Sequence, residues 1–131
     1  MKQKNEILDL SFQFAIEIVH LSKFLNAKNE YILSKQILRS GTSIGANVTE
    51  AQAAQSSKDF ISKLSIAAKE ARETGYWLNL LNETGYLENY SNKSRLFEQN
   101  LSIIKLLTKI IITSQNNSKT KKTKSKIRLN E

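Results

Sequence analysis

No cysteine and no proline occur anywhere in this chain of 131 residues, which holds only four glycines, one tryptophan and one histidine. Without cysteine there is neither a disulfide framework nor a thiolate metal site, as suits a reducing cytoplasm. Without proline, nothing in the composition forces a helix to break from within. The single histidine starves metal and acid–base chemistry. Glu17 and His20 make one Glu-x-x-His pair, whereas a di-metal bundle needs that motif twice plus two further glutamates. A solvated or partner-facing pair is the better reading. Nucleophile–base catalysis would depend on the same histidine and has no cysteine to draw on. No run approaches the ~18 apolar residues of a membrane span, and MKQKNEILDL lacks the apolar stretch of a secretory signal. The expectation is a cytoplasmic protein away from membranes.

Acidic residues are scarce at one end. Residues 1–115 contain 14 Lys and Arg against 11 Asp and Glu, a net +3, and residues 116–131 contain six against one, a net +5. Most of the formal +8 therefore sits on a short tail, and the body is only mildly basic. QNNSKTKKTKSKIRLNE has no apolar period and buries too little to offset ordering entropy, so 116–131 reads as a disordered basic tail behind a folded domain spanning 1–115.

What is present is helical periodicity. Ile7, Phe14, Ile18, Leu21 and Leu25 keep a four-three spacing interrupted only by Ser11, so a first helix starts after a cap at Asn5 and runs to about Asn26. The short NAKN link offers Asn29 as the next N-cap with Glu30 in the first turn. It makes the second helix an antiparallel neighbour of the first. That helix runs to about Gln55. Ser56, three residues before Asp59, opens a third with the stripe Phe60, Leu64, Ala67, Ala71, Leu78 and Leu81. Gly85 takes the left-handed cap position. Ser91 or Asn92 opens a fourth helix with the stripe Phe97, Leu101, Ile104, Leu107 and Ile111, which fades by about Ser114. The fold class is all-α, an antiparallel up-down four-helix bundle with a disordered basic C-terminal tail.

The second helix carries the densest information. Leu33, Ile37, Ile44, Val48 and Ala51 share one narrow arc, and Arg39, Ser43, Asn47 and Glu50 share another. Gly41 and Gly45 stand one turn apart inside this helix, where each costs roughly 1 kcal/mol against Ala; close approach of a neighbouring backbone is the expected compensation. With Glu73 of the third helix, the polar arc reads as a semi-buried seam bonding across helices or subunits, of the kind that specifies register and partner. GTSIG is no phosphate loop, because it lacks both the Lys-Ser/Thr and the preceding strand. Helical ribonucleases that place Arg four to six residues before His are excluded too: His20 precedes Arg39, the first arginine.

SIGANVTEA and the later KDFISKLSIAAKEARETGYWLNLL resemble the four-helix-bundle family of 23S ribosomal RNA intervening-sequence proteins. The matching positions are Ser43, Ile44, Asn47, Val48 and Glu50, then Phe60, Leu64, Ile66, Ala67, Glu73 and Leu78, within a resemblance spanning residues 6 to 113. Thr49 and Ala51 depart from the commoner Ala and Gly. The resemblance implies ring-shaped homo-oligomers, with pentamers among related bundles. Through the similar accessory proteins of diversity-generating retroelements, it also implies nucleic-acid binding by a basic ring.

From the residues themselves, Leu10, Val19, Phe24, Ile103, Ile110 and Ile112 lie off the main arcs, a surplus that points to an interface between copies. The functional expectation is a non-enzymatic homo-oligomer without cofactor, metal or small-molecule substrate, binding RNA or DNA through its backbone. The candidate cations are Lys35, Arg39, Lys63 and Arg72 on the body, and Lys119, Lys121, Lys122, Lys124, Lys126 and Arg128 on the tail. The alternative is a ring-forming module that recruits a protein partner.

Overall fold

The computed structural model describes residues 5–129, with the side chains of Lys122, Lys126, Arg128 and Leu129 outside the described set. Four helices follow in order: α1 (Glu6–Ala27), α2 (Ile32–Ala51), α3 (Ser57–Glu83) and α4 (Lys93–Leu129). Each packs on the next in sequence, and α4 returns more thinly onto α1 to close the up-down ring. The axis is filled by the expected stripe of α1, for Phe14, Ile18, Leu21 and Leu25 are fully buried and face Ile37, Ile44, Leu64, Leu78 and Leu81. Each such side chain contributes roughly 1.5–3 kcal/mol.

The helix ends follow their local chemistry. Asn5 accepts from the Leu8 amide, 3.1 Å away, and Ser56 accepts from the Asp59 amide at 3.0 Å, so α1 and α3 start on side-chain caps. Gly85, at φ +86°, ends α3 while the Tyr86 amide reaches back to the Leu81 carbonyl. Asn29 departs from expectation. It adopts φ +64° and terminates α1, with the Glu30 amide bonded to the Leu25 carbonyl, instead of capping α2. The α2 amides are served by the Glu30 carboxylate, which accepts from Leu33. An asparagine tolerates the left-handed region, and one short link had to end a helix as well as begin one. At the other end α2 stops at Ala51, four residues short of the expected Gln55.

The fourth helix is displaced in phase from its sequence reading. Leu96, Asn100, Ile103 and Leu107 face the core, while Leu101 is 52% exposed and Phe97, Ile104 and Ile111 are half-buried. Apolar residues surround this helix on nearly every side, so periodicity could not select the inward face. Asn100 at a core position concealed it. Ile103, read as interface surplus, belongs to the core, and Phe24 packs against Tyr90 in a tilted pair with ring centroids 4.7 Å apart. The helix also continues past Ser114 to Leu129. Packing is what fades there: among residues 115–121 only Ser118 is even half-buried. The segment read as a tail is thus an extension with little tertiary support, the regime in which isolated helices are marginal in water.

The two helical glycines occupy a close α1–α2 crossing. A Cβ on Gly41 would lie 2.8 Å from Cγ1 of Ile18, and one on Gly45 would lie 3.3 Å from the Ser11 carbonyl oxygen. A larger side chain at either position would force α1 and α2 apart. Small hydroxyls complete the seams. Ser22 and Ser34 bond at 2.8 Å between α1 and α2, and Thr74 donates to Ser40 at 2.9 Å between α3 and α2.

Candidate nucleic-acid interface

Basic residues divide between two sides of α3, and the division follows from its helical register. On the side facing α2 stand Asp59, Lys63, Glu70, Glu73 and Trp77. Here Arg39 of α2 is clamped by two carboxylates, Glu70 at 3.3 Å and Glu73, and Glu73 also accepts from the Trp77 indole N–H at 3.0 Å. Lower on the same seam, Lys63 meets Glu50 at 3.0 Å. Hydrogen bonding to Glu50, and then its negative charge, push the Lys63 ammonium above the usual lysine range. These two cations, both candidate phosphate ligands from sequence, already have anionic partners.

Of the polar arc, Arg39, Glu50 and Glu73 bond between α2 and α3. Ser43 and Asn47 do not: the Asn47 amide donates to the Ser43 carbonyl at 2.9 Å and to its hydroxyl at 3.2 Å, both within α2. One turn of spacing lets that amide satisfy itself on its own helix. Both residues are half-buried. Sequence reading missed Glu70, which sits three residues before Glu73 on the same face, a spacing that could have suggested a two-carboxylate clamp. His20 is exposed, while Glu17 turns to Asn92, whose amide donates to it at 3.3 Å.

The other candidate cations have no such partners. Among the described residues, no carboxylate pairs with Lys35, Arg72, Lys119, Lys121 or Lys124, and all five are exposed. Lys35 lies on α2. Arg72 lines a groove between α3 and α4 with Ser65, Ala68, Thr108, Ile111 and Ile112. Lys119, Lys121 and Lys124 lie on the α4 extension, and the expected contributions of Lys122, Lys126 and Arg128 fall outside the described side chains. Lys119 and Lys121 line recesses beside the start of α3, shared with Ser56 and Ser57. No three His, Cys, Asp or Glu residues converge on a possible metal position among the described residues, and no described helix is long and apolar enough to cross a membrane.

These features define a four-helix bundle with a charge-neutralised α2–α3 face and an acid-free, basic end to its last helix. The family model of the 23S rRNA-intervening sequence protein matches residues 3–109, and the chain belongs to that family. It is similar to a crystal structure of a protein of unknown function from the S23 ribosomal protein family of Bacteroides thetaiotaomicron. That similarity is 53% identity over 80% of this chain and 97% of the other, with a TM-score of 0.77. No curated protein matches the chain.

Proposed function

We propose that this protein is a non-enzymatic, cytoplasmic homo-oligomer that binds RNA through phosphate contacts, without reading sequence. The observation that carries the proposal is charge placement. From Gln99 to Asn130 there is no acidic residue, and six cations fall within 116–128 on an extension of α4 that is mostly exposed. Of these, Lys119, Lys121 and Lys124 are exposed with no described carboxylate partner, and cations free to meet phosphates are what counterion release uses. The name of its family, which refers to an insertion in ribosomal RNA, supports RNA as the polyanion. Self-association is supported by large apolar side chains left in solvent on α1, α2 and α3, among them Phe12 (63% exposed), Ile32 (75%) and Ile66 (40%).

The test is the salt dependence of binding to an unstructured RNA, for the full chain and for a chain lacking 116–131. Four to six phosphate contacts by the tail would give a slope of log affinity against log salt that flattens by about 3–4 units on deletion, at about 0.7 per phosphate on single strands. Equal loss across unrelated sequences is expected. A full-length protein that binds no RNA in about 50 mM salt, a regime that favours phosphate contacts, would transfer the function to the alternative, a ring-forming module for a protein partner. Sedimentation equilibrium checks assembly: a 14.9 kDa monomer throughout the micromolar range would remove the oligomer.

A further inference from the structure

Two recesses of the surface line up. Arg72, Ala68 and Ser65 of α3 face Thr108, Ile111 and Ile112 of α4, and further along the same pair of helices Ile61 and Lys58 face Gln115, Ser118 and Lys119. Residue numbers fall along α3 as they rise along α4, as an antiparallel pair requires. Together they form one groove of about 14 residues, or ~21 Å at helical rise.

Its charge is of one sign. By helical register Lys58, Lys69 and Arg72 share the outer arc of α3, and no acidic residue lies on that arc between Lys58 and Asn79, because Asp59, Glu70 and Glu73 all turn toward α2. On α4, by register, Lys105, Lys109 and Lys119 follow one stripe with the exposed Leu101 and Ile112, and the one acidic residue of α4, Glu98, lies a turn before Leu101, outside the groove. No described carboxylate pairs with any of these six cations. Ile61, Ala68, Ile111 and Ile112 make its surface mostly apolar, with Ser65, Thr108, Gln115 and Ser118 between them, and Tyr76, 58% exposed, stands on the α3 arc beyond Arg72.

We infer that this α3–α4 groove is a binding surface for a nucleic-acid strand, its rim cations contacting successive phosphates. The inference deepens the RNA-binding reading and depends on it, and it adds cations of the bundle body to those of the tail. A cleft lined by cations on a low-dielectric floor concentrates a polyanion along its length. Apolar and aromatic surface between the cations suits exposed bases. A second copy suits it less, since two such faces meeting symmetrically would set cation against cation.

The experiment uses the full-length chain and a fluorescein-labelled, unstructured 20-nucleotide RNA. The groove variant Arg72→Glu/Lys105→Glu is compared with Lys23→Glu/Lys28→Glu, a charge-matched pair associated with α1. The expected result is a loss of affinity of about tenfold or more confined to the groove variant, with a salt slope flatter by about 1.4 units, two phosphates at about 0.7 each. Arg72→Gln/Lys105→Gln serves if the reversals fail to fold by circular dichroism, and should give the same slope change. Equal losses in the groove and α1 variants overturn the inference. So does a change in sedimenting mass without a change in RNA affinity, which would assign the groove to a second copy. If the parent chain binds RNA and only deletion of 116–131 abolishes that binding, the groove fails while the RNA-binding reading stands. If the parent chain does not bind at all, both fall.

Discussion

A Cβ built on Gly41 would come within 2.8 Å of Cγ1 and 2.9 Å of Cγ2 of Ile18, a side chain fully buried at the centre of the bundle. Those atoms lie near the Ile18 backbone, so they cannot swing clear. Gly41→Ala therefore sets a helix-propensity gain of about 1 kcal/mol against an overpacking cost of about 1–3 kcal/mol. Net destabilisation is expected, read as a lower urea midpoint at unchanged m-value. At Gly45 the obstacle is the Ser11 backbone, 3.3 Å away. Gly45→Leu should be worse than Gly45→Ala, and an alanine that stabilises at Gly41 would show that α1 and α2 do not meet so closely there.

The buried hydroxyl pair Ser40–Thr74 bridges α2 and α3 at 2.9 Å, and Thr74 also lies 2.8 Å from the Glu70 carbonyl. Removing one partner leaves the other only a bond to its own helix, Thr74 to the Glu70 carbonyl and Ser40 to the more distant Ile37 carbonyl at 3.5 Å. Ser40→Ala and Thr74→Val should each destabilise by about 1 kcal/mol or somewhat more, and the double variant by less than the sum. A double-mutant cycle by urea unfolding measures the coupling. Strict additivity would mean that the two hydroxyls act independently.

Much of the body was legible because its signals were redundant. Asn5, Ser56 and Gly85 each combine a suitable residue with the edge of an apolar stripe, and the stripe of α1 survives Ser11 because its other members agree. The first half of α4 carries too many apolar residues for any stripe to stand out. There the buried face was set by contact with α3, through Asn100, whose amide donates to the Ala71 carbonyl at 3.1 Å beside Gly75. Buried Ser22, Ser34 and Ser40 escaped for a related reason: a serine at a core position looks like a break until its partner on the next helix is known. At the candidate interface, sequence supplied the cations but not their pairing. Whether Arg39 is open to a ligand depends on Glu70 and Glu73, more than thirty residues away in sequence.

Alkaline pH should weaken the fold through two groups. Tyr90 packs against Phe24 with its hydroxyl pushed above the ordinary 10.0, first by burial and then by the charge of Glu17. Lys63 is raised above 10.5 by Glu50. In both cases the folded state keeps its proton over a range where the unfolded chain has lost it. Stability is full below about pH 10 and falls as pH climbs through the raised values. Tyr90→Phe keeps the aromatic contact and removes one proton from the linkage. Its urea midpoint should then decline less steeply than that of the parent above pH 10. Identical pH profiles for parent and variant would show that Tyr90 titrates alike in both states.

The extension of α4 separates the role of helix from the role of charge. Both Thr108 and Thr120 bond the carbonyl one turn back in α4, Ile104 at 2.7 Å and Asn116 at 3.0 Å, but Thr108 is half-buried beside α3 whereas Thr120 is exposed. Proline in a helix interior costs about 3 kcal/mol or more. Thr108→Pro should impose that cost on the whole fold and lower the melting temperature sharply. Thr120→Pro breaks turns that pack on little, so its cost should stay local: reduced ellipticity at 222 nm with a melting transition within about 0.5 kcal/mol of the parent, as for a surface change. The same variant keeps every cation of 116–128. If those residues bind phosphate as mobile charges, its salt slope on RNA should match the parent. If they must be displayed in helical register, the slope should flatten toward that of the truncated chain. A Thr120→Pro protein that loses global stability would show instead that the extension is an integral part of the bundle.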